Sequence, residues 1–534
     1  MGEAERKALF RFSYRRSPDQ DAPTPVHHPV VVVGAGLVGL TAALDLAQRG
    51  ISVVVLDDSD RIGEGSRGIC YAKRTLEIWD RLGVGHRMLA KGVTWKIGKV
   101  FRGNDLAYQF DLLPETGHKM PAFINLQQYY VEKFLAERAE ALANLDLRWR
   151  HKVTAIARHS DHALLTVETP EGPYSVSADW VVASDGARST IRQLLGLEFE
   201  GEAFADKFLI ADVKMTAPFP SERWFWFDPP FHSGRSALLH KQPDDIWRID
   251  LQLSPEADAE FEKRPERVIP RIERMLGHRN FDLVWVSIYQ FDCRRLARFV
   301  HDHVVFAGDA AHQVSPFGAR GGNSGVQDAD NLGWKLAAVI KGEAPPSLIA
   351  MYDVERRQAA DENIGHSTRS TDFIAPRSTT ERLFRDAALG LARRTEIGKR
   401  YVNSGRLSTP TIYDTPLSTP DESPFAGSAK LGAPLPDAPL KDQSGRAVWL
   451  LNALGEEFTI IHAPNGAEPR ALANAAHLVV GHDVHDSEGL LVQRLDVQPG
   501  STYVVRPDQH LCARFRSYDT ARIAAAIDRA CSRT

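Results

Sequence analysis

An α/β fold with an antiparallel sheet inserted into it is predicted from three features of the chain. Val30–Val33 is a β-branched run followed by a glycine-rich turn, a helix-spaced segment and a second β-branched run ending in an acid. That is the order of a parallel strand–helix–strand unit buried on both faces. Residues 197–293 change to alternating, aromatic-rich segments, the pattern of an antiparallel sheet. Residues 303–341 then return to strand, loop and helix, so the first unit is predicted to be discontinuous. A chain of 534 residues is long enough for roughly two to four such units.

Taken in order, residues 1–28 read as a polar N-terminal arm. The first unit is expected in three parts, residues 29–100, 121–196 and 294–403, the last with a helical region near 345–400. Residues 101–120 and 197–293 supply the inserted sheet. Within it, WRIDLQL places Trp247, Ile249 and Leu251 on one face and Arg248, Asp250 and Gln252 on the other. Residues 404–439, rich in Pro, Ser and Thr, read as a linker to a separate C-terminal α/β domain, 440–534.

Composition narrows the function classes. Lys plus Arg total 65 against 69 for Asp plus Glu, a net charge of −4, so no nucleic-acid partner is expected. The four cysteines, Cys70, Cys293, Cys512 and Cys531, are widely spaced and form no C-x-x-C pair. They offer neither a metal cluster nor a disulfide framework, and a cytoplasmic location is expected. The charged start lacks the apolar run of a signal peptide, and no apolar stretch approaches the ~20 residues that span a bilayer.

Three motifs carry chemistry. Gly34-Ala35-Gly36-Leu37-Val38-Gly39 lies between strand and helix, where bare amides at a helix N-terminus receive a pyrophosphate. Gly34, Gly36 and Gly39 let the backbone approach it, and Asp57 at the end of the second strand is placed for a ribose hydroxyl. The second motif, Asp185-Gly186-Ala187-Arg188-Ser189, follows an apolar strand; read alone, it is also consistent with an Asp-capped turn. In the third, residues 304–340, Asp309 sits at a strand-to-turn junction suited to a polyol hydroxyl. A glycine-dense loop then opens a helix whose first amides, at Asn323–Val326, can stabilise negative charge on a ligand.

Together these motifs resemble the FAD-dependent aromatic hydroxylases, the para-hydroxybenzoate hydroxylase-like single-component flavoprotein monooxygenases. The resemblance spans residues 28–360 by motif and implies a Rossmann-type FAD-binding domain interleaved with a substrate domain. It implies that Gly34, Gly36, Gly39 and Asp57 hold the ADP half of FAD, with Arg67 and Gln128 also contacting the cofactor. Asp185 and Gly186 match an element shared by flavin and nicotinamide handling, Asp309 the ribityl-binding acid. Pro316, Gly321, Gly322 and Asn323 match the loop against the flavin ring, although SPFGARGGNSG departs from the commonest form of that loop. The C-terminal unit resembles the thioredoxin-like domain of the phenol hydroxylase branch; without C-x-x-C, a structural or oligomeric role is expected, and a homodimer is left open. Because all the cofactor motifs end before Lys341, deletion of residues 425–534 is expected to leave FAD binding intact while weakening stability or assembly.

The implied reaction uses NAD(P)H as co-substrate, dioxygen and a small aromatic, phenolic substrate, with transfer through a flavin C4a-hydroperoxide. His240, Arg248 and Asp250 are the candidate catalytic side chains, the alternative being a solvated sheet face with a local ion pair and a structural histidine. A flavin-dependent oxidase or dehydrogenase, and a non-catalytic flavin-binding regulator, are the competing functions. A halogenase is disfavoured by the lack of a W-x-W-x-I-P element.

Overall fold

The computed structural model describes residues 10–533 apart from 64, 66, 377, 403–406, 467–471 and 473–474. Strand β1 (Val26–Val33), helix α1 (Leu37–Gln48) and β2 (Val53–Asp57) open the first unit, and β3 (Cys70–Ala72) leads into α2 (Lys73–Arg81). The chain leaves through β4 (Ile97–Arg102) and β5 (Asp105–Asp111), then returns as α3 (Gln128–Glu140), β6 (Leu145–Trp149) and β7 (Gly172–Ala183). A second excursion comprises β8 (Phe199–Lys214), β9 (Arg223–Phe227), β10 (Ser236–Lys241), β11 (Ile246–Leu253) and β12 (Asp282–Leu296). β13 (Val304–Phe306) and α4 (Gly321–Ile340) close the first unit, followed by α5 (Ser347–Ile374), α6 (Thr379–Arg394) and α7 (Glu396–Val402).

The first sheet has a parallel centre in the order β13–β7–β1–β2–β6. Its strands are covered on both faces, which is why Val30, Val31 and Val32 can be consecutive and all fully buried. The second sheet runs β12–β8–β11–β10–β9–β4–β5 and is antiparallel except between β9 and β4. One face packs Trp247, Ile249 and Leu251 with Leu209 and Val213 against Val268 and Ile272 of the helix Pro265–Leu276. Burial of each large side chain there stabilises the sheet by roughly 1.5–3 kcal/mol. The other face turns towards the first unit, and β9 splits its aromatics accordingly. Phe225 and Phe227 join the cluster on that inner side, whereas Trp224 and Trp226 pack on the outer cluster.

Beyond the helices lies a mixed four-stranded sheet, Ala475–Val479, β14 (Phe458–His462), β15 (Thr502–Val505) and β16 (Leu511–Phe515), with α8 (Thr520–Ala530) against it. No helix among the described residues is long and apolar enough to cross a membrane. The described part of the N-terminal arm, expected to be a polar extension, is docked: Phe12 stacks on Trp149 with ring centroids 4.4 Å apart.

Two expectations about the C-terminal half are corrected. The segment taken as a linker is woven into the domain that follows it. Tyr413, Leu417 and Leu435 are buried, and the Gly432 and Leu435 amides donate to Leu511 and Gln509 carbonyls. Nor is the C-terminal domain separable from the first unit. Arg506 donates to both oxygens of Glu355 on α5 (2.6 and 3.1 Å) and to Asp508 (2.5 Å), while Lys335 on α4 donates to the same Glu355 (2.5 Å). Arg74 on α2 reaches Asp330, the Asp508 carbonyl and Gln509. Removing residues 425–534 would break these pairs and uncover Trp334, Ala344 and Leu348, which pack on the C-terminal sheet, so the first unit and with it FAD binding are expected to be destabilised by that deletion.

Candidate active site

Local backbone geometry sets the first part of the site. Gly34 has φ +103°, and a Cβ there would lie 2.6 Å from the Ser184 carbonyl oxygen. A Cβ on Gly39 would lie 1.9 Å from the Gly34 oxygen, so these two glycines are required by the protein's own packing. Gly36 differs: the nearest atom to its Cβ position is a Glu132 oxygen at 3.9 Å. It is also the N-cap of α1 with no side chain to cap the helix, so apart from the Leu37 amide, which faces Glu132, the helix's first amides are left for a ligand. Open space in front of a bare helix start is a cradle for a phosphate.

Asp57 flanks this turn. Its carboxylate accepts from the Ala35 amide (2.6 Å) and the Ser59 amide (2.9 Å), and burial pushes it up to about 6 against those two bonds. Each oxygen keeps a lone pair for a ribose hydroxyl. Across the cleft, Gln128 accepts from Gly68 (3.0 Å) and donates to Glu132 (2.7 Å), which also accepts from Gly63 (2.9 Å). Burial raises Glu132 despite these bonds, which favours a neutral acid beside a phosphate site. Glu132 was missed in the sequence; its only signal was helical spacing, one turn after Gln128.

The Asp185–Gly186 motif lies directly against the phosphate turn, since a Cβ on Gly34 would be 2.9 Å from the Asp185 Cα. One Asp185 oxygen accepts from the Ile191 amide (3.0 Å), as an Asp-capped turn requires, and the other is buried without a partner. Gly186 has φ +79° and open space at its Cβ position. An orphaned carboxylate oxygen beside an open glycine is what a ligand hydroxyl or amide would complete.

Asp309, just after β13, is exposed to the cleft, and the protein around the cleft raises its carboxyl. Gly321 and Gly322 begin α4, and their Cβ positions meet nothing closer than 3.7 Å. The amide side chain of Asn323 is occupied: its oxygen accepts from Ala72 (2.8 Å) and Thr75 (2.7 Å), and its nitrogen donates to the carbonyls of Cys70 (2.9 Å) and Ala319 (2.6 Å). Asn323 therefore staples the start of α4 to β3, and only its backbone amide remains for a ligand. Pro316 is exposed and starts the turn closed by the Ala319 amide (3.0 Å). Arg67 is exposed on the segment between, its charge felt by Glu132, Tyr289 and Asp309. Open glycines, an orphaned acid oxygen and two bare helix starts around one cleft fit FAD.

The candidate catalytic side chains form part of a row across the second sheet. Strand register aligns Trp285, Asp212, Arg248, His240 and Arg223 on one face. Arg248 is 4% exposed and His240 3%, which overturns the solvated-face alternative. The first unit covers this face: a Cβ on Gly65 would meet the Trp285 ring at 2.4 Å, and Asn125 contacts His240. Arg248 bonds Asp212 through Nε (3.4 Å) and stands 3.9 Å from Asp250, while its Nη2 is buried without a partner. Asp250 Oδ1 is likewise without a hydrogen bond, and burial pushes that carboxyl up to about 6 against Arg248 and Arg223.

His240 is the third candidate side chain. Burial, then Arg223 and Arg248, hold it well below its usual range, so the ring is neutral and weakly basic. It packs edge-on to Trp95. His312 is structural as well, paired with Asp328 at 2.7 Å.

Beside this row opens a cavity of about 860 Å³ between β4, β5 and β9, the 317–318 loop and helices α5–α7. Tyr108, Phe225, Phe227, Phe317 and Phe373 line it, and so does Arg223. Arg248, Asp250 and His240 are not among its lining residues; they lie deeper, towards Cys70 and the 65–70 segment. Arg223 was not singled out in the sequence, because its placement depends on strand register.

Comparison with known proteins agrees with this geometry. Residues 27–367, more than half of the chain, match the FAD binding domain family. A flavin-dependent monooxygenase of Mycobacteroides abscessus is 31% identical over 360 residues, covering 64% of this chain and 73% of that protein. The 12-dehydrotetracycline 5-monooxygenase/anhydrotetracycline 6-monooxygenase of Streptomyces rimosus is 30% identical over 503 residues, 91% and 95% of the two chains. In fold, the chain is similar to the crystal structure of the flavin-dependent monooxygenase PieE with FAD and substrate, with a TM-score of 0.81, 21% identity and coverage of 96% and 100%. This chain belongs to the FAD-dependent aromatic hydroxylases, the flavoprotein monooxygenases built on that FAD-binding domain.

Proposed function

We propose that the protein uses NAD(P)H and dioxygen to hydroxylate an aromatic small molecule bound in the 860 Å³ cavity. The observation that carries this reading is the junction of two sites. The aromatic cavity ends at Phe317 and Gly318, in the same loop that opens α4 at the FAD cleft. Bound FAD, once reduced, supplies oxygen activation at its C4a position. The chain's part is to bind, to orient and to exclude water. The Gly34–Gly39 turn and Asp57 take the ADP half, Asp309 the ribityl chain, and the α4 amides stabilise negative charge on the ring. Arg67, Gln128, Asp185 and Gly186 complete the cofactor contacts, and Arg248 with Asp250 governs charge on the inner wall.

A single ring is satisfied by a cavity of roughly 150 Å³, so this one has room for several. The tetracycline monooxygenase similarity points the same way. We read the C-terminal unit as thioredoxin-like in form and structural in role, and the location as cytoplasmic, where NAD(P)H is available.

NAD(P)H consumption under labelled dioxygen, screened over one-ring and multi-ring phenols, tests the function. One labelled oxygen in the product is expected; reductant oxidation with only hydrogen peroxide formed would favour an oxidase. The cofactor site has its own test in Gly36→Val, which the protein has room for but a pyrophosphate does not. Folded, colourless protein is expected, and full flavin content would rule this turn out.

A further inference from the structure

The charges around the cavity are one-sided. Among its described lining residues are Lys99, Arg223 and Arg369, and no aspartate or glutamate. Lys99 is neutralised by Glu222 at 2.7 Å. Arg369 donates to His366 Nδ1 at 3.0 Å, which needs a neutral imidazole and leaves the arginine's charge uncompensated.

Arg223 stands out further. It makes no hydrogen bond or ion pair with any described residue, although Asp250 is near enough to act on it. Its in-register neighbours are Gly98 and His240, the latter held neutral. Tyr108 and Cys70 nearby are also neutral, their ionisation pushed up by burial. Burial itself lowers the proton affinity of Arg223. Arg223 is half-buried, and a guanidinium has five donors in a rigid fork and cannot shed its proton, so one set in an aromatic wall without a protein partner is free to take an anion. Arg223 lines the cavity beside Phe225 and Tyr108.

We propose that the substrate of this enzyme is an anionic, multi-ring aromatic whose ionised oxygen, carboxylate or acidic hydroxyl, is bound by Arg223, with its ring system stacked along Tyr108, Phe225 and Phe227. This rests on the reading that the cavity takes the substrate. Arg223 anchors the charged end on the sheet wall, and Arg369 on α5 attracts the same charge at the opposite wall. The anchor sets which ring position reaches the 317–318 loop, so Arg223 determines specificity.

The test is ligand binding to FAD-loaded protein, followed by perturbation of the flavin spectrum. Two ring-matched pairs serve as probes: 2-naphthoate with 2-naphthamide, and 2-hydroxy-1,4-naphthoquinone with its methyl ether. Wild type should bind at least one charged member about 10-fold or more tightly than its neutral partner, and the pair that shows this identifies the oxygen. Arg223→Gln should bring that ratio close to one without weakening the neutral probe, and Arg223→Lys should keep part of it, with FAD content unchanged in both. Equal binding of charged and neutral probes in both pairs, or a preference that survives in Arg223→Gln, would overturn the assignment. Because binding is read without turnover, this outcome is separate from failure of the hydroxylation assay.

Discussion

Two buried charge clusters in this molecule are built from the same residue types and differ in how fully they are partnered. At the junction of α4, α5 and the C-terminal domain, Glu355 accepts from Arg506, Lys335, Asn331 and Thr415, and Asp508 accepts from Arg506 and Trp334. Burial alone would push Glu355 up, but Arg506 and Lys335 overcome it and hold the carboxyl well below its ordinary range. In the row across the second sheet, Arg248 Nη2 and Asp250 Oδ1 are buried without a hydrogen bond, and half-buried Arg223 makes none with any described residue. A completed network is a structural joint; an incomplete one is reserved for something that binds.

The largest expected effect lies in the completed cluster. Glu355→Ala should cost about 3–5 kcal/mol by leaving Lys335 buried without a carboxylate and Arg506 with Asp508 alone. Thermal unfolding should show this as a large fall in Tm with loss of FAD, and so should deletion of residues 425–534. A truncated protein that stays folded and yellow would dissolve the contrast. In the incomplete cluster, Arg248→Ala should retain FAD yet slow its reduction by NAD(P)H by roughly 10²-fold in stopped-flow absorbance. A normal reduction rate with a lowered Tm would make this row a structural joint like the first.

A smaller effect concerns Asp250, whose folded carboxyl titrates at about 6 rather than 3.8. A raised acid contributes stability that is complete below the unfolded value and lost as pH climbs through the folded one. Asp250→Asn should therefore gain on wild type between about pH 4 and pH 6, by on the order of 2 kcal/mol, and hold that gain above. Denaturant melts across that window decide it, and a pH-independent difference would mean that Asp250 is partnered in solution. The smallest effect sets the baseline: Arg158, paired with Asp302 at the surface (2.9 Å), should change stability by no more than about 0.5 kcal/mol when replaced by Ala.

The comparison also explains what could be read in advance. The phosphate turn and the alternation in WRIDLQL are local, because a glycine run between strand and helix, or a period of two, constrains the backbone within ten residues. The protonation of His240 could not be read in this way. A histidine's proton affinity depends on what packs against it, and Arg223, Arg248 and Asn125 reach it from other strands and from the first unit. The linker reading failed likewise, since a Pro- and Ser-rich composition gives no sign that the Gly432 and Leu435 amides donate to the Leu511 and Gln509 carbonyls.

By itself, the sequence determined the strand–turn–helix that suits FAD, the inserted antiparallel sheet and the family, all carried by contiguous residues whose backbone preferences and spacing are intrinsic. Only the tertiary structure decided that Asn323 is a staple, that Glu132 faces the phosphate turn and that Arg223 stands unpartnered in an aromatic cavity. Those properties arise where strand register and domain packing bring distant side chains within a few ångströms, where desolvation and neighbouring charge, rather than residue type, set what each group does.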